Sequence, residues 1–217
     1  MLQLKTFTFN PFQENTYILY NDNLEAIVFD PGCYESHERD ELTSFIEDEK
    51  LKVKMLINTH CHIDHVLGNA FVKRKYNVPF LIHKNELPVL KSVVTYASNY
   101  GFPGYEEAEV DHYLDEKRRL ELGDEKIELL FVPGHAPGHL VFYHPDSKIC
   151  IAGDTLFQGS IGRTDLPGGD HQTLLDAIQK EMFALPDDTK VYPGHGPMTT
   201  IGYEKEYNPF VGKRAKF

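Results

Sequence analysis

"NTHCHIDHVLGN", residues 58–69, places three histidines and an aspartate within six consecutive positions, His60 to His65. The flanks, Asn58-Thr59 before and Leu67-Gly68-Asn69 after, look ordinary beside them. The stretch leaves a short, nearly all-apolar run, VKMLIN at 53–58, that reads as a strand. It enters VLGNAFVKRKY at 66–76, which reads as a helix. His60 and His62, at i and i+2 of extended chain, project to one side and can grip one metal ion. Asp64 and His65 fall where the chain turns into the helix and can point at a second. Crowded imidazoles without a metal would repel one another or stay unsatisfied. Imidazole and carboxylate are the usual zinc ligands of hydrolytic sites, and they also suit iron or manganese. Cys61 lies between two candidates with its side chain directed away, and reads as packing.

Three later segments carry the same chemistry, each just after an expected strand. They are His135 in VPGHAPGH, Asp154 in IAGDT and His195 in YPGHG. Loops beyond strand ends are where α/β proteins gather ligands and catalytic groups. His135 would complete three ligands with His60 and His62, and His195 would do so with Asp64 and His65. Asp154, with two oxygens, could bridge. Glycines 134, 153, 194 and 196 would let the backbone take positive φ beside these residues. Asp30, ending a strand in FDPG, reads equally as a carboxylate orienting a ligand histidine or as a plain turn residue. His83, His112 and His144 stand alone and read as surface or core.

Working outward, LQLKTFTFN, TYILYN and EAIVFD read as opening strands, and residues 35–50 as an amphipathic helix with Leu42, Phe45 and Ile46 on one face. VPFLIH is another buried strand, followed by a helical stretch ELPVLKSVVTYASNY and a poorly legible acidic segment. KIELLFV, LVFYH, KICIAG and KVYPG are strands of the second half, with a helix over 171–185. Strands first, then alternating strands and helices in each half, predict an α/β fold with sheets covered by helices. No linker interrupts the chain, so a single domain over 1–217 is expected.

A formal net charge of -11 repels phosphate backbones, so no nucleic-acid partner is expected. The densest basic patch is the tail GKRAKF at 212–217, which reads as a solvated terminus. No apolar run is long enough to cross a bilayer, so no membrane partner is expected. Cys33, Cys61 and Cys150 form no disulfide framework, and the start of the chain is not signal-like. A cytoplasmic location is the expectation.

THCHIDH, with the later GHAPGH, GDTLF and PGHG, resembles the metallo-β-lactamase superfamily, whose signature is HxHxDH followed by His, Asp and His ligands. The resemblance runs through almost the whole chain and implies a four-layered αβ/βα sandwich. It implies one metal on His60, His62 and His135, another on Asp64, His65 and His195, and Asp154 bridging them. GDTLFQGSIGRTD and GHGPMTTIGYEKEYNPF resemble the short form of glyoxalase II-like hydrolases, which cleave hydroxyacylglutathione thioesters. The long form adds a helical C-terminal domain; here 22 residues follow His195, which implies its absence. Arg163 matches a cationic glutathione-binding position, although the tyrosine expected two residues on is Asp165.

The expected function is therefore hydrolysis of a small-molecule thioester by two divalent metal ions, zinc foremost and iron or manganese as alternatives. Asp64 and Asp154 are the candidate catalytic carboxylates, Arg163 the candidate substrate-binding residue. Alternatives on the same fold are a mononuclear-iron persulfide dioxygenase and a lactonase. The dioxygenases of this family tend to carry PAHDY in the last ligand loop, where this chain has PGHG. A closed structural zinc site would more often use cysteines.

Overall fold

Alternation is the first feature of the opening strand, β1 (Gln3–Phe9): Phe7 and Phe9 are buried while Thr6 and Thr8 face solvent. Its ring pair stacks at 5.4 Å, as expected for i, i+2 neighbours on one face of a strand. The next strands, β2 (Glu14–Tyr20) and β3 (Glu25–Phe29), are buried on both faces, and β2 carries the polar residues Glu14, Asn15 and Thr16 at its start. That pattern marks strands covered on both sides. The computed structural model describes residues 1–115, 119–213 and 215. Residues 214, 216 and 217 of the basic tail lie outside the described residues.

Helix α1 (Ser36–Asp48) buries Leu42 and Ile46, with Phe45 half-buried, on the expected face. Glu35 and Glu38 cap its start reciprocally, each side chain accepting the other's backbone N–H. Strand β4 (Lys52–Ile57) leads to a one-turn helix α2 (Ile63–Val66) and then α3 (Asn69–Tyr76). The single helix expected from residue 66 is thus two, broken at Gly68. A Cβ there would meet Cys33 Sγ at 2.5 Å and Pro31 O at 2.7 Å. The close approach of that loop allows only glycine. Strand β5 (Phe80–His83), helix α4 (Leu87–Tyr96) and the edge strand β6 (His112–Leu114) follow. The first sheet runs in the order β1-β2-β3-β4-β5-β6. β1, β2 and β3 are antiparallel neighbours; β3 through β6 are parallel.

The second half contains β7 (Leu120–Leu122), β8 (Glu125–Phe131), β9 (Leu140–His144) and β10 (Ile149–Gly153). A small hairpin, β11 (Leu156–Phe157) with β12 (Ser160–Ile161), precedes helix α5 (His171–Ala177). Strands β13 (Lys190–Pro193) and β14 (Thr199–Thr200) and helix α6 (Ile201–Tyr207) complete it. The helix expected over 171–185 is α-helical only to Ala177 and continues as a π-type turn, Ile178–Met182. The second sheet has the order β14-β13-β10-β9-β8-β7.

The chain divides into two compact units, Met1–Leu114 with Glu121–Lys126, and Asp115–Leu120 with Ile127–Phe217. Each has its own apolar core: one around Ile18, Val28, Leu56, Phe80 and Ile82, the other around Val132, Val141, Ile151's neighbours Cys150 and Ala152, Leu174 and Val191. The architecture is the expected α/β class, sheets flanked by helices. Strand direction places the loops that matter. In the first unit Asp30 follows β3 and His60 follows β4, and these strands are parallel. β2 runs the other way, so its first residues, Glu14 to Thr16, lie at the same sheet edge. In the second unit β8 is antiparallel to β9, β9 to β10, and β10 parallel to β13. The loops carrying His135, Asp154 and His195 therefore leave one edge of that sheet. Among the described residues no helix is long and apolar enough to cross a membrane.

Candidate metal centre

In the first unit the cluster forms because β4 ends at Ile57 and the chain stays extended to His62, whose φ and ψ are -68° and 156°. His60 and His62 rings meet edge to face at 4.8 Å, and His60 lies 4.1 Å from His65 between ring centroids. His65 Nε2 is 3.6 Å from Asp64 Oδ2. His60 and His65 are fully buried and Asp64 nearly so. One ligand atom from each of Asp30, His60 and His65 lies within 4.8 Å of the other two. Three imidazoles at these separations cannot all be cationic, and as neutral donors beside carboxylates they suit a divalent cation. Cys61, as expected, points into the core. Burial, then the charges of Glu86 and Asp30, push its thiol well above the ordinary value.

Asp30 is more than a turn residue. It is buried with φ of 47°, a left-handed conformation that aspartate tolerates better than most. Its Oδ1 accepts the Thr59 backbone N–H at 2.7 Å and Asn58 Nδ2 at 3.2 Å. Its Oδ2 accepts the Thr59 hydroxyl at 2.6 Å and lies 3.3 Å from His65 Nδ1. Asn58 Nδ2 also reaches the His65 carbonyl at 2.8 Å, and Asn69 Nδ2 donates to Asn58 Oδ1 at 2.7 Å. Asn58, Thr59 and Asn69 are all fully buried. The flanks that look ordinary in the sequence are thus the scaffold of the histidines. A second carboxylate, Glu14, sits 3.8 Å from His65 Nδ1. Complete burial raises its pKa well above the usual carboxylate range, against the opposing pull of His65.

In the second unit Asp154 Oδ2 lies 3.5 Å from both His135 Nε2 and His195 Nε2. His135 turns its Nδ1 to the Arg163 carbonyl at 2.7 Å, which directs Nε2 towards Asp154. A Cβ on Gly162 would collide with the Asp154 carbonyl oxygen, so the loop bearing Arg163 needs glycine there. Arg163 itself binds Asp165 through Nε and Nη2, each at 2.7 Å, on the surface. That guanidinium holds the Asp165 carboxyl down at about 2. Gly134, Gly153 and Gly196 take positive φ of 122°, 49° and 75°, whereas Gly194 does not.

A model of the family described as the metallo-β-lactamase superfamily matches residues 9–195. The chain belongs to the metallo-β-lactamase superfamily. The hydroxyacylglutathione hydrolase GloC of Haemophilus influenzae is 35% identical over 206 residues, covering 94% of this chain and 95% of that protein. Among solved structures, the B3 metallo-β-lactamase BLEG-1 is 36% identical with a TM-score of 0.88, over 96% of this chain and 99% of that one. TTHA1623, in a di-iron-bound form, is 34% identical with a TM-score of 0.85, over 95% of this chain and 100% of that one.

As a metallo-hydrolase of this superfamily, the chain carries supporting residues that its sequence alone did not reveal. His139 Nε2 accepts the Asp154 backbone N–H at 3.0 Å. Glu86, fully buried, accepts the Cys61 N–H at 2.8 Å and so pins the peptide between His60 and His62. Asn10 Nδ2 donates to the Asp64 carbonyl at 3.0 Å. His139 stands in the quoted GHAPGH, but its spacing alone gives it no role. Glu86 and Asn10 are brought to the cluster only by the sheet order. His83 and His144 are buried and engaged locally, with Asn85 and Ser147 respectively.

Proposed function

We propose that this metallo-hydrolase cleaves thioesters of the hydroxyacylglutathione class at a centre for two divalent metal ions, zinc foremost. The observation that carries the reading is the likeness to a hydroxyacylglutathione hydrolase across 94% of this chain. His60, His62 and His135 would hold one ion and Asp64, His65 and His195 the other, with Asp154 shared. The di-iron form of TTHA1623 supports two ions and makes iron the first alternative to zinc. Bound there, the ions would supply hydroxide near neutral pH and polarise the thioester carbonyl.

The chain's own residues have the remaining tasks. Asp64 would orient the attacking water while ligating, and Asp154, through its two oxygens, would hold the two ions together about it. The leaving thiolate is stable, so no dedicated general acid is demanded. Arg163 would take a carboxylate of the glutathione moiety, exchanging Asp165 for it in a bidentate pair.

A second reading, hydrolysis of β-lactams, is supported by the 36% identity to BLEG-1. The two separate in one experiment. Purified protein, analysed for metal, is assayed with S-lactoylglutathione and with a chromogenic cephalosporin. Turnover of the thioester with about two metal equivalents supports the first reading, and turnover of the cephalosporin alone replaces it with the second. One reproducible equivalent, with His65 and His195 dispensable, would remove the dinuclear centre. Oxygen uptake with glutathione persulfide and iron, without thioester turnover, would make the protein a dioxygenase.

A further inference from the structure

We propose that Thr59 is a positioning residue: its hydroxyl links His60 to Asp30, so one buried carboxylate orients a histidine of each metal set. The inference rests on the reading of His60 and His65 as ligands. Neither that reading nor the family pattern assigns a role to Thr59. A hydroxyl has one proton to give and lone pairs with which to accept. The Thr59 proton has a strong acceptor, Asp30 Oδ2 at 2.6 Å. His60 Nδ1 stands 3.1 Å from the same hydroxyl oxygen. With the hydroxyl proton committed to the carboxylate, the oxygen can only accept from His60. The imidazole proton is thereby placed on Nδ1, and Nε2 keeps the lone pair that binds metal.

The same Asp30 Oδ2 faces His65 Nδ1 at 3.3 Å. Asp30 thus reaches one histidine directly and the other through Thr59. The relay is sealed from water: Asp30, Thr59, His60 and His65 are each at most 1% exposed. It is also locked in place, since the Thr59 backbone N–H binds the other oxygen of Asp30 at 2.7 Å. Hydrogen bonds in such surroundings are stronger than in water and costly to break.

The test compares zinc-loaded wild-type protein with Thr59→Val, which keeps the shape and removes the hydroxyl, and Thr59→Ser, which keeps the hydroxyl. Zinc affinity is read by competition with a chelator, and the His60 proton by NMR of protein labelled with 15N-histidine. Thr59→Val should bind zinc ~10–100-fold more weakly, the usual effect of losing an outer-shell partner, and Thr59→Ser should restore affinity. The wild type and Thr59→Ser should carry the His60 proton on Nδ1. Unchanged affinity in a folded Thr59→Val protein overturns the role of Thr59 alone. A wild-type protein that takes up neither zinc nor iron overturns the ligand reading with it. Should Thr59→Val not fold, the wild-type spectrum decides: a proton on His60 Nε2 overturns the proposal, and one on Nδ1 supports it.

Discussion

His139 Nε2 accepts the backbone N–H of Asp154 at 3.0 Å, with His139 fully buried and Asp154 nearly so. A histidine outside the family's ligand pattern therefore sets the backbone of the residue proposed to bridge the metals. His139→Ala should leave a buried N–H without this partner, at a cost of ~1–3 kcal/mol in unfolding free energy. Metal content of the purified variant should fall as well. Urea unfolding and elemental analysis check both, and a variant of wild-type stability and metal content would show that the contact is incidental.

Asn58 and Asn69 act as one unit beneath the histidines, joined by a 2.7 Å hydrogen bond. Asn58→Ala removes bonds to Asp30 and to the His65 carbonyl besides. It should destabilise the protein more than Asn69→Ala does. The double variant should lose less than the sum of the two, because residues sharing a network are not additive. A complete double-mutant cycle in denaturant measures that coupling, and simple additivity would refute it.

Arg163 is already occupied by Asp165 through two 2.7 Å bonds. A substrate carboxylate must displace Asp165 before the guanidinium can bind it. Asp165→Asn should then lower KM for S-lactoylglutathione, while Arg163→Ala raises it with kcat nearly unchanged, as expected for lost uniform binding. If Arg163 only ties its own loop, both variants should instead lose metal or stability and leave KM alone.

Asp111 joins Lys73 at 2.7 Å and accepts the Phe80 N–H at 2.8 Å, bracing the entry to β5. Lys73, and then the Phe80 N–H, lower its pKa below the ordinary value of 3.8. A depressed carboxylate contributes stability that is present above the unfolded pKa and is lost as pH falls through the folded one. The Tm advantage of wild type over Asp111→Asn should accordingly be full at about pH 6 and shrink below about pH 4. An advantage that grows on acidification contradicts this sign.

Much of the ligand chemistry and the α/β class is legible in the chain itself. The proposed ligands His60, His62, Asp64 and His65 stand out because metal binding needs lone pairs at short, regular spacing. The buried strands are visible because TYILY is rich in β-formers and ICIAG is apolar without interruption. Edge strands β6 and β7 and the terminal helix α6 were not legible. They are short, and their formation depends on neighbours more than on local pattern. Gly68 broke an expected helix because Pro31 and Cys33 pass within contact of it, which no helix propensity registers.

The sequence by itself determined which atoms are available to bind metal, since that depends on side-chain chemistry and spacing. It left Asp30 balanced between a turn residue and an orienting carboxylate. Only the tertiary structure decided that Asp30 lies 3.3 Å from His65 Nδ1 and shares the Thr59 hydroxyl. The reason is that β3 and β4 pair in parallel, which brings residues 28 positions apart, Asp30 and Asn58, to one sheet edge within hydrogen-bond reach. Hydrogen bonds are made over about 3 Å of space, and separation along the chain carries no record of that distance.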